Sequence, residues 1–180
     1  MYDVTPYLQC IHEVAPHTVQ KVIAVESGGN PLAINVNGLS RYKTPHPKTR
    51  DEAIATARHW IQLGYSVDMG LMQVNSRNLA AYGTDVAAMF SPCANIRTGS
   101  QILYNAYQSA KQRDSRPAVA VQYALSIYNT GSMERGFRNG YVQKYMKRLA
   151  RTSFQSLALL RTAQQRWRQL SFLTASSGCR

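Results

Sequence analysis

Acidic residues are scarce in this chain, which has 9 Asp and Glu against 21 Lys and Arg among 180 residues. The net charge of +12 draws a protein toward polyanions such as nucleic acid, acidic lipid headgroups or an acidic cell-wall polymer. No helix-turn-helix, zinc-finger or aromatic RNA-binding signature accompanies the charge, so no specific nucleic-acid partner is expected. A solvated basic surface explains most of these residues equally well, and the charge alone identifies no partner.

Long apolar runs are also absent, and no segment approaches the length that crosses a bilayer. The first four residues lack the basic segment and apolar stretch of a secretory signal, so we expect a leader to be absent or already removed. The length and the 44% hydrophobic content predict one domain with a full core, followed by a tail.

Cysteines and histidines are too few and too scattered to form a metal site. We therefore expect no metal, and nothing in the sequence indicates another cofactor. In an oxidising compartment two of the three cysteines can pair, and Cys10 and Cys93 are the candidates because both lie at the ends of predicted elements. Such a bridge would contribute on the order of 4 kcal/mol to stability. Buried free thiols are the competing explanation.

Apolar periodicity and helix-end signals predict an α+β chain that is mostly α. A capping-box pattern at residues 49–52 opens the second helix, and the Gly-interrupted stretch 65–75 predicts a small hairpin or sheet. The predicted helices cover residues 16–27, about 49–63, a stretch from Asn95 or Thr98, residues 117–130 and residues 141–150.

Residues 151–180 form a basic tail whose apolar residues recur on one helical stripe. Packing of this amphipathic helix on its own domain is favoured over docking to a partner or a membrane surface. The stripe contains Phe154, Leu157, Leu160, Ala163, Trp167 and Leu170.

Glu26 is the only carboxylate between Glu13 and Asp51. It comes at the end of an apolar helical run, and residues 27–31 (SGGNP) must end that helix. A carboxyl in this position can be half desolvated, and desolvation raises its pKa toward the range of a general acid at neutral pH. The alternative is that Glu26 is simply the last solvated residue of a helix.

Two further segments distinguish Glu26 from an ordinary helix end. Residues 26–31 (ESGGNP), 70–75 (GLMQVN) and 128–131 (YNTG) resemble, in the same order, the three signature motifs of the soluble lytic transglycosylase (goose-lysozyme-like) family. Residues 66–73 (SVDMGLMQ) and 139–142 (NGYV) are similar to the peptidoglycan-cleaving subunit of type IV secretion systems. The resemblance covers roughly residues 8–150.

This resemblance implies a lysozyme-like single lobe with a small sheet beside a cleft, acting on peptidoglycan glycan strands without a cofactor. It implies that Glu26 is the sole catalytic acid/base, cleaving between N-acetylmuramic acid and N-acetylglucosamine to give a 1,6-anhydro product. The expected partners are subunits of a secretion or conjugation apparatus, and the expected location is periplasmic or exported.

Position by position, the same resemblance gives candidate substrate-binding residues. Gln73 and Asn75, two apart on an extended segment, would point the same way and bond sugar hydroxyls or N-acetyl groups. Ser27 and Ser66 would orient the carboxyl or the N-acetyl group, although capping is the more ordinary role of Ser27.

Three further residues complete this set. Tyr128 and Asn129 would present a phenol and an amide to the sugar, while Met72 belongs either to the core or to the cleft lining. Tyr141 matches a family tyrosine that hydrogen-bonds near the acid. The chain departs from the family just before it, because residues 137–140 (FRNG) replace a preferred Glu-Thr pair.

Asp68 is the only other acid inside a signature segment and carries the rival mechanism. If it faces Glu26, it would activate a water or support an oxocarbenium ion, which would make the enzyme a hydrolytic muramidase. We favour Asp68 as a turn residue that bonds nearby backbone amides. A non-catalytic assembly factor that binds glycan or partner subunits is a third alternative.

Overall fold

The computed structural model describes residues 2–40 and 44–147, and the chain divides into two units, Met1–Val142 and Gln143–Arg180. The described part of the second unit, residues 143–147, is helical. The first unit contains α1 (Pro16–Glu26), β1 (Ile34–Val36), α2 (Arg50–Gln62), β2 (Val67–Met69), β3 (Val74–Asn75), α3 (Pro92–Arg113), α4 (Pro117–Thr130) and α5 (Arg135–Arg138). This mostly helical α+β class with one small sheet confirms the predicted fold class.

The three strands form an antiparallel sheet in the order β1-β2-β3. Asn35 pairs with Asp68, and Asp68 pairs with Asn75, so three polar residues form one row across the sheet. Side chains of a strand alternate between its two faces, which sends the intervening residues to the other side. The buried face carries Ile34, Val36, Val67, Met69 and Val74.

That buried face packs against α2 and the short helical turn Ala88–Phe90. Ala53 and Ala57 of α2 are fully buried, and the small side chains let the helix lie close to the sheet. Ile54, Trp60 and Ile61 pack around the same cluster, as the predicted apolar face of α2 requires.

Local signals place the helix ends where the sequence predicts them in two cases. Thr49 caps α2 by accepting a hydrogen bond from the Glu52 backbone N–H at 3.2 Å. Gly131, with φ of 68°, ends α4 in the left-handed conformation that glycine adopts without strain. The third helix differs, because α3 already begins at Pro92, a residue well suited to a first helical turn.

Two elements have no counterpart in the sequence prediction. The strand β1 is three residues long, too short for alternation to stand out beside the Asn-Gly turn signal that follows it. The helix α5 is a single turn and lacks an apolar period. The predicted basic tail and the boundary at residue 150 lie outside the described residues, so that division of the chain stays a prediction.

The predicted disulfide is present, and it joins Cys10 to Cys93 across 83 residues with a Cα–Cα distance of 5.3 Å. It ties the 3-10 helix Thr5–Cys10 to the start of α3. The backbone N–H of His12 donates to Ser100 Oγ at 2.9 Å, which fastens the same segment further along α3.

Replacing Cys10 and Cys93 together by serine is expected to lower the free energy of unfolding by about 4 kcal/mol, because the unfolded chain loses a long covalent loop. Urea denaturation followed by circular dichroism, with and without reductant, measures the change. Reductant should bring the wild type to the stability of the variant and leave the variant unchanged. Equal midpoints for the variant and the oxidised wild type would contradict this role of the bridge.

Candidate active site

Glu26 is the last residue of α1, a helix anchored by the buried side chains of Val19, Val22 and Ile23. Its carboxyl is partly buried, as expected for an acid at the end of a core helix. The Tyr141 hydroxyl donates a hydrogen bond to Glu26 Oε1. The structure therefore brings together two predicted site residues that are 115 positions apart in the chain.

Asn139 supports Tyr141 where the wider family prefers a Glu-Thr pair. Its Oδ1 accepts from the Tyr141 backbone N–H at 3.0 Å, and its Nδ2 donates to Asn129 Oδ1 at 2.9 Å. Asn129 Oδ1 is thus engaged in holding Asn139, and the predicted contact of Asn129 with the sugar stays a prediction.

The close packing of α5 on α4 brings Asn139 into this position. The Gly136 backbone N–H donates to Ser126 Oγ at 2.8 Å, and Ser126 is fully buried. A Cβ at Gly136 would lie 2.6 Å from Ser126 Cα, so only glycine permits this approach. Ser126 lies two residues before the third motif, and its pairing with Gly136 is visible only in the structure.

The β2–β3 turn, residues 70–73, is held by hydroxyl groups from the other two motifs. Ser27 Oγ donates to the Leu71 carbonyl at 2.7 Å, and the Tyr128 hydroxyl donates to the Met72 carbonyl at 2.7 Å. Both side chains were predicted to orient or bind substrate groups. Their hydroxyl hydrogens are instead directed to backbone carbonyls, and the three motifs interlock through this turn.

Asn95 of α3 holds the same turn from its buried side. This residue is not identified from the sequence. It is 1% exposed, its Oδ1 accepts from the Met72 N–H at 2.8 Å, and its Nδ2 donates to the carbonyls of Met69 and Met89. All three partners would be unsatisfied without it, because they are buried backbone groups. The only available signal was an asparagine between apolar residues near a helix start.

Gln73 does not lie on an extended segment, which corrects the prediction that it points with Asn75. Its φ is 49°, a left-handed conformation that is uncommon outside glycine. Its Nε2 donates to the carbonyls of Ala33 and Gly70 at 3.1 and 2.9 Å. These bonds join the turn to the start of β1 and account for the conformation.

Asp68 is also placed differently from the prediction, since it lies in the central strand and bonds side-chain amides rather than turn backbone. Oδ2 accepts from Asn35 Nδ2 at 2.9 Å and from Asn37 Nδ2 at 3.0 Å. Oδ1 accepts from Asn75 Nδ2 at 2.6 Å. Asn75 Oδ1 in turn accepts from the Arg77 N–H, so both ends of the Asn75 amide are engaged within the protein.

Tyr128 lies within the fields of both candidate carboxylates. Burial raises the pKa of Tyr128 well above its usual value, and the negative charges of Glu26 and Asp68 raise it further. The phenol therefore keeps its proton at neutral pH and remains a donor to the Met72 carbonyl.

Met72 and Ser66, two further predicted substrate-binding residues, differ from each other in burial. Met72 is fully buried, and a Cβ on Gly99 would lie 2.7 Å from its side chain, so the structure assigns Met72 to the core rather than to a cleft lining. Ser66 is partly buried, and its carbonyl accepts from the Asn37 N–H at 2.9 Å.

A separate apolar cavity of about 200 Å³ lies near the start of α1, between α3 and α4, and contains none of the predicted site residues. Within residues 2–40 and 44–147, no three His, Cys, Asp or Glu side chains are grouped to hold a metal ion. No helix in that part of the chain is long and apolar enough to span a bilayer.

Sequence comparison matches residues 6–150 to the transglycosylase SLT domain. The chain belongs to the SLT domain family. The SLT chain is 38% identical over 142 residues to type IV secretion system protein virB1 of Brucella abortus biovar 1 (strain 9-941), covering 76% of this chain and 59% of that protein. It is 35% identical over 136 residues to protein virB1 of Rhizobium radiobacter, covering 76% of this chain and 56% of that one.

Protein virB1 of Agrobacterium fabrum (strain C58 / ATCC 33970) is 32% identical over 136 residues, with 76% of this chain and 54% of that protein covered. The SLT chain therefore spans less than two thirds of the length of these relatives. No solved structure matches it. The family resemblance inferred from the three motifs is confirmed.

In this SLT domain, Gly70→Ala is expected to cost about 3 kcal/mol or more in unfolding free energy. Gly70 has φ of +71°, and a Cβ would lie 2.3 Å from the Met89 carbonyl oxygen and 2.4 Å from Asn95 Nδ2. Gly64→Ala is the matched control, because φ there is +87° but a Cβ meets nothing within 4 Å. Gly64→Ala should lower the free energy of unfolding by only about 1–2 kcal/mol. Equal urea midpoints for the two variants would show that the turn tolerates the contact.

Proposed function

We propose that this SLT domain is a peptidoglycan lytic transglycosylase. It cleaves the β-1,4 bond between N-acetylmuramic acid and N-acetylglucosamine and leaves a 1,6-anhydro end on the muramic sugar. The observation that carries the proposal is the Glu26 side chain, partly buried at the end of a core helix and hydrogen-bonded by the Tyr141 phenol. Membership of the transglycosylase SLT domain family supports the same activity.

One carboxyl suffices for this reaction because the substrate supplies the nucleophile. Glu26 gives its proton to the glycosidic oxygen, the C1–O bond breaks, and the departing sugar keeps that proton as a hydroxyl. The Glu26 carboxylate then takes the proton of the muramic 6-hydroxyl, whose oxygen closes on C1. An internal nucleophile held in place contributes roughly 7–11 kcal/mol to lowering the barrier.

Tyr141 positions the carboxyl for both proton transfers. The phenol donates to Oε1 and so orients the carboxyl that exchanges the proton with the sugar. The hydrogen bond also stabilises the carboxylate that exists between the two transfers. Asn139 and Asn129 hold Tyr141 in this role, in place of the family's Glu-Thr pair.

Hydrolysis by a muramidase is the second candidate, and the position of Asp68 favours it more than the sequence did. Its carboxyl is oriented by three amides. A second carboxylate at the site can stabilise an oxocarbenium ion or assist a water. The three amide bonds also give Asp68 a structural role, and we therefore keep transglycosylation as the leading proposal.

The cellular role follows from the relatives and the charge. The three relatives described above are named virB1, and one of them is named as a type IV secretion system protein. We propose that this domain opens the wall locally for a secretion or conjugation apparatus, in the periplasm, where the Cys10–Cys93 disulfide can form. The net charge of +12 suits a polymer whose stem peptides and lactyl groups carry carboxylates.

Glu26→Gln is expected to reduce the solubilisation of purified sacculi at least roughly a thousandfold, because an amide cannot donate and retrieve the proton. Mass spectrometry of the muropeptides released by the wild type should show anhydro ends. Reducing ends in their place would establish the hydrolytic candidate. Unchanged solubilisation by Glu26→Gln would exclude both mechanisms, whereas a wild type that releases no muropeptides would leave the glycan-binding assembly factor.

Tyr141→Phe is expected to lower kcat about tenfold while the fold is retained, because the ring stays and the donor to Glu26 is lost. Glu26 must be protonated to begin the reaction, and the phenol favours its ionised form, so loss of the phenol should move the basic limb of the pH–rate profile to higher pH. Tyr123→Phe is the control, since that ring contacts Phe137 and Arg113 rather than Glu26. A Tyr141→Phe profile that overlays the wild type would remove Tyr141 from the mechanism.

A further inference from the structure

A set of polar side chains lies on the face of the sheet opposite the core. Asn35, Asp68 and Asn75 form the first row, and Asn37 and Ser66 form the next, joined by the Asn37 N–H to Ser66 carbonyl bond of 2.9 Å. We call these five residues the asparagine platform. Asn35 and Asn37 are exposed, whereas Asp68 and Asn75 are partly buried.

Asp68 determines which way the two exposed amides point. Its carboxylate accepts hydrogen bonds, and only the Nδ2 end of an asparagine can donate one. Asn35 and Asn37 both direct Nδ2 to Asp68 Oδ2, at 2.9 and 3.0 Å. Each carbonyl oxygen, Oδ1, is consequently turned away from Asp68.

The two Oδ1 atoms form a pair of pre-oriented acceptors. Asn35 and Asn37 lie two residues apart along the β1 direction, which separates them by roughly 7 Å. Neither oxygen accepts a hydrogen bond from the part of the protein that the structure describes, and both residues are exposed. Fixed acceptors of this kind bind ligands rich in hydroxyl and amide N–H donors, because little rotational freedom is lost on binding.

The platform begins beside Glu26 and runs away from it. Residues 27–33 lead directly from Glu26 into β1, and Ser27 bonds Leu71 at the β2–β3 turn. The Gly70 N–H donates to the Ala33 carbonyl at 2.8 Å, so this end of the sheet adjoins the end of α1. The row containing Asn35 is nearer to Glu26, and the row containing Asn37 is farther from it.

We propose that the asparagine platform is a binding subsite for the sugars of an N-acetylated glycan strand leading away from Glu26. Asn35 and Asn37 accept from sugar hydroxyl or N-acetyl N–H groups through Oδ1. Asp68 is a positioning residue that orients these amides. The inference rests on the proposed function, because it extends the same substrate beyond the bond that is cleaved.

Binding of the N-acetylglucosamine hexamer by the Glu26→Gln protein, measured by isothermal titration calorimetry, tests the platform without turnover. Adding Asn35→Ala and Asn37→Ala together should weaken binding roughly tenfold, and Asn37→Ala alone about fivefold. Asn105→Ala is the matched control, an exposed asparagine of α3 whose amide donates to the Tyr82 hydroxyl, and it should leave the Kd unchanged. If the double variant unfolds, the hexamer Kd of the Asn37→Ala variant alone tests the subsite.

Asp68→Asn tests the positioning role, because an amide has one acceptor oxygen and cannot hold three donors. With Glu26 present, it should raise KM roughly five- to tenfold and leave kcat and the product ends unchanged. A kcat loss with unchanged KM would assign Asp68 to the chemistry and overturn its role here. A hexamer Kd within twofold of the parent in the asparagine variants would overturn the subsite. Cleavage of sacculi by the Glu26→Gln protein would instead contradict the proposed function. The comparison of hexamer Kd values would still test the asparagine platform in that case.

Discussion

The site depends on hydrogen bonds to the backbone carbonyls of Leu71 and Met72. Ser27, just after α1, donates to the first, and Tyr128, near the end of α4, donates to the second. Asn95 of α3 fastens the Met72 N–H from the buried side. The helices α1, α3 and α4 are thereby held to the backbone of the β2–β3 turn. The carboxyl of Glu26, the last residue of α1, therefore has a fixed position relative to the sheet.

This arrangement changes the meaning of the signature motifs. Serine, tyrosine and glutamine in such motifs suggest sugar contacts, because their side chains suit hydroxyl groups. Here the Ser27 and Tyr128 hydroxyls and the Gln73 amide hydrogens are directed to protein carbonyls. The motifs mainly build a rigid frame around Glu26, and the exposed amides of Asn35 and Asn37 lie on the solvent-facing side of the sheet.

Sequence reasoning was most successful where a short stretch carries its own signal. The apolar run before Glu26, the Thr49 cap and the glycine at 131 predict helix ends from a few neighbouring residues, and the structure has them there. It failed where partners are distant in the chain. The left-handed Gln73 is imposed by Ala33, forty residues earlier, and no intrinsic preference of glutamine indicates it.

The same limit applies to Asp68 and Asn95. An aspartate two residues before a glycine is typical of a turn. The amide partners of Asp68, however, lie on β1, just after β1 and on β3, and the sequence does not reveal the register of these strands. A buried asparagine cannot be distinguished from a surface one until the core around it is known. The glutamate and its phenol lie 115 residues apart, so no nascent or truncated chain lacking the region around Tyr141 can form the complete proton-transfer pair. Under the proposed mechanism, catalytic competence therefore arises last during synthesis, after nearly the whole domain has left the ribosome.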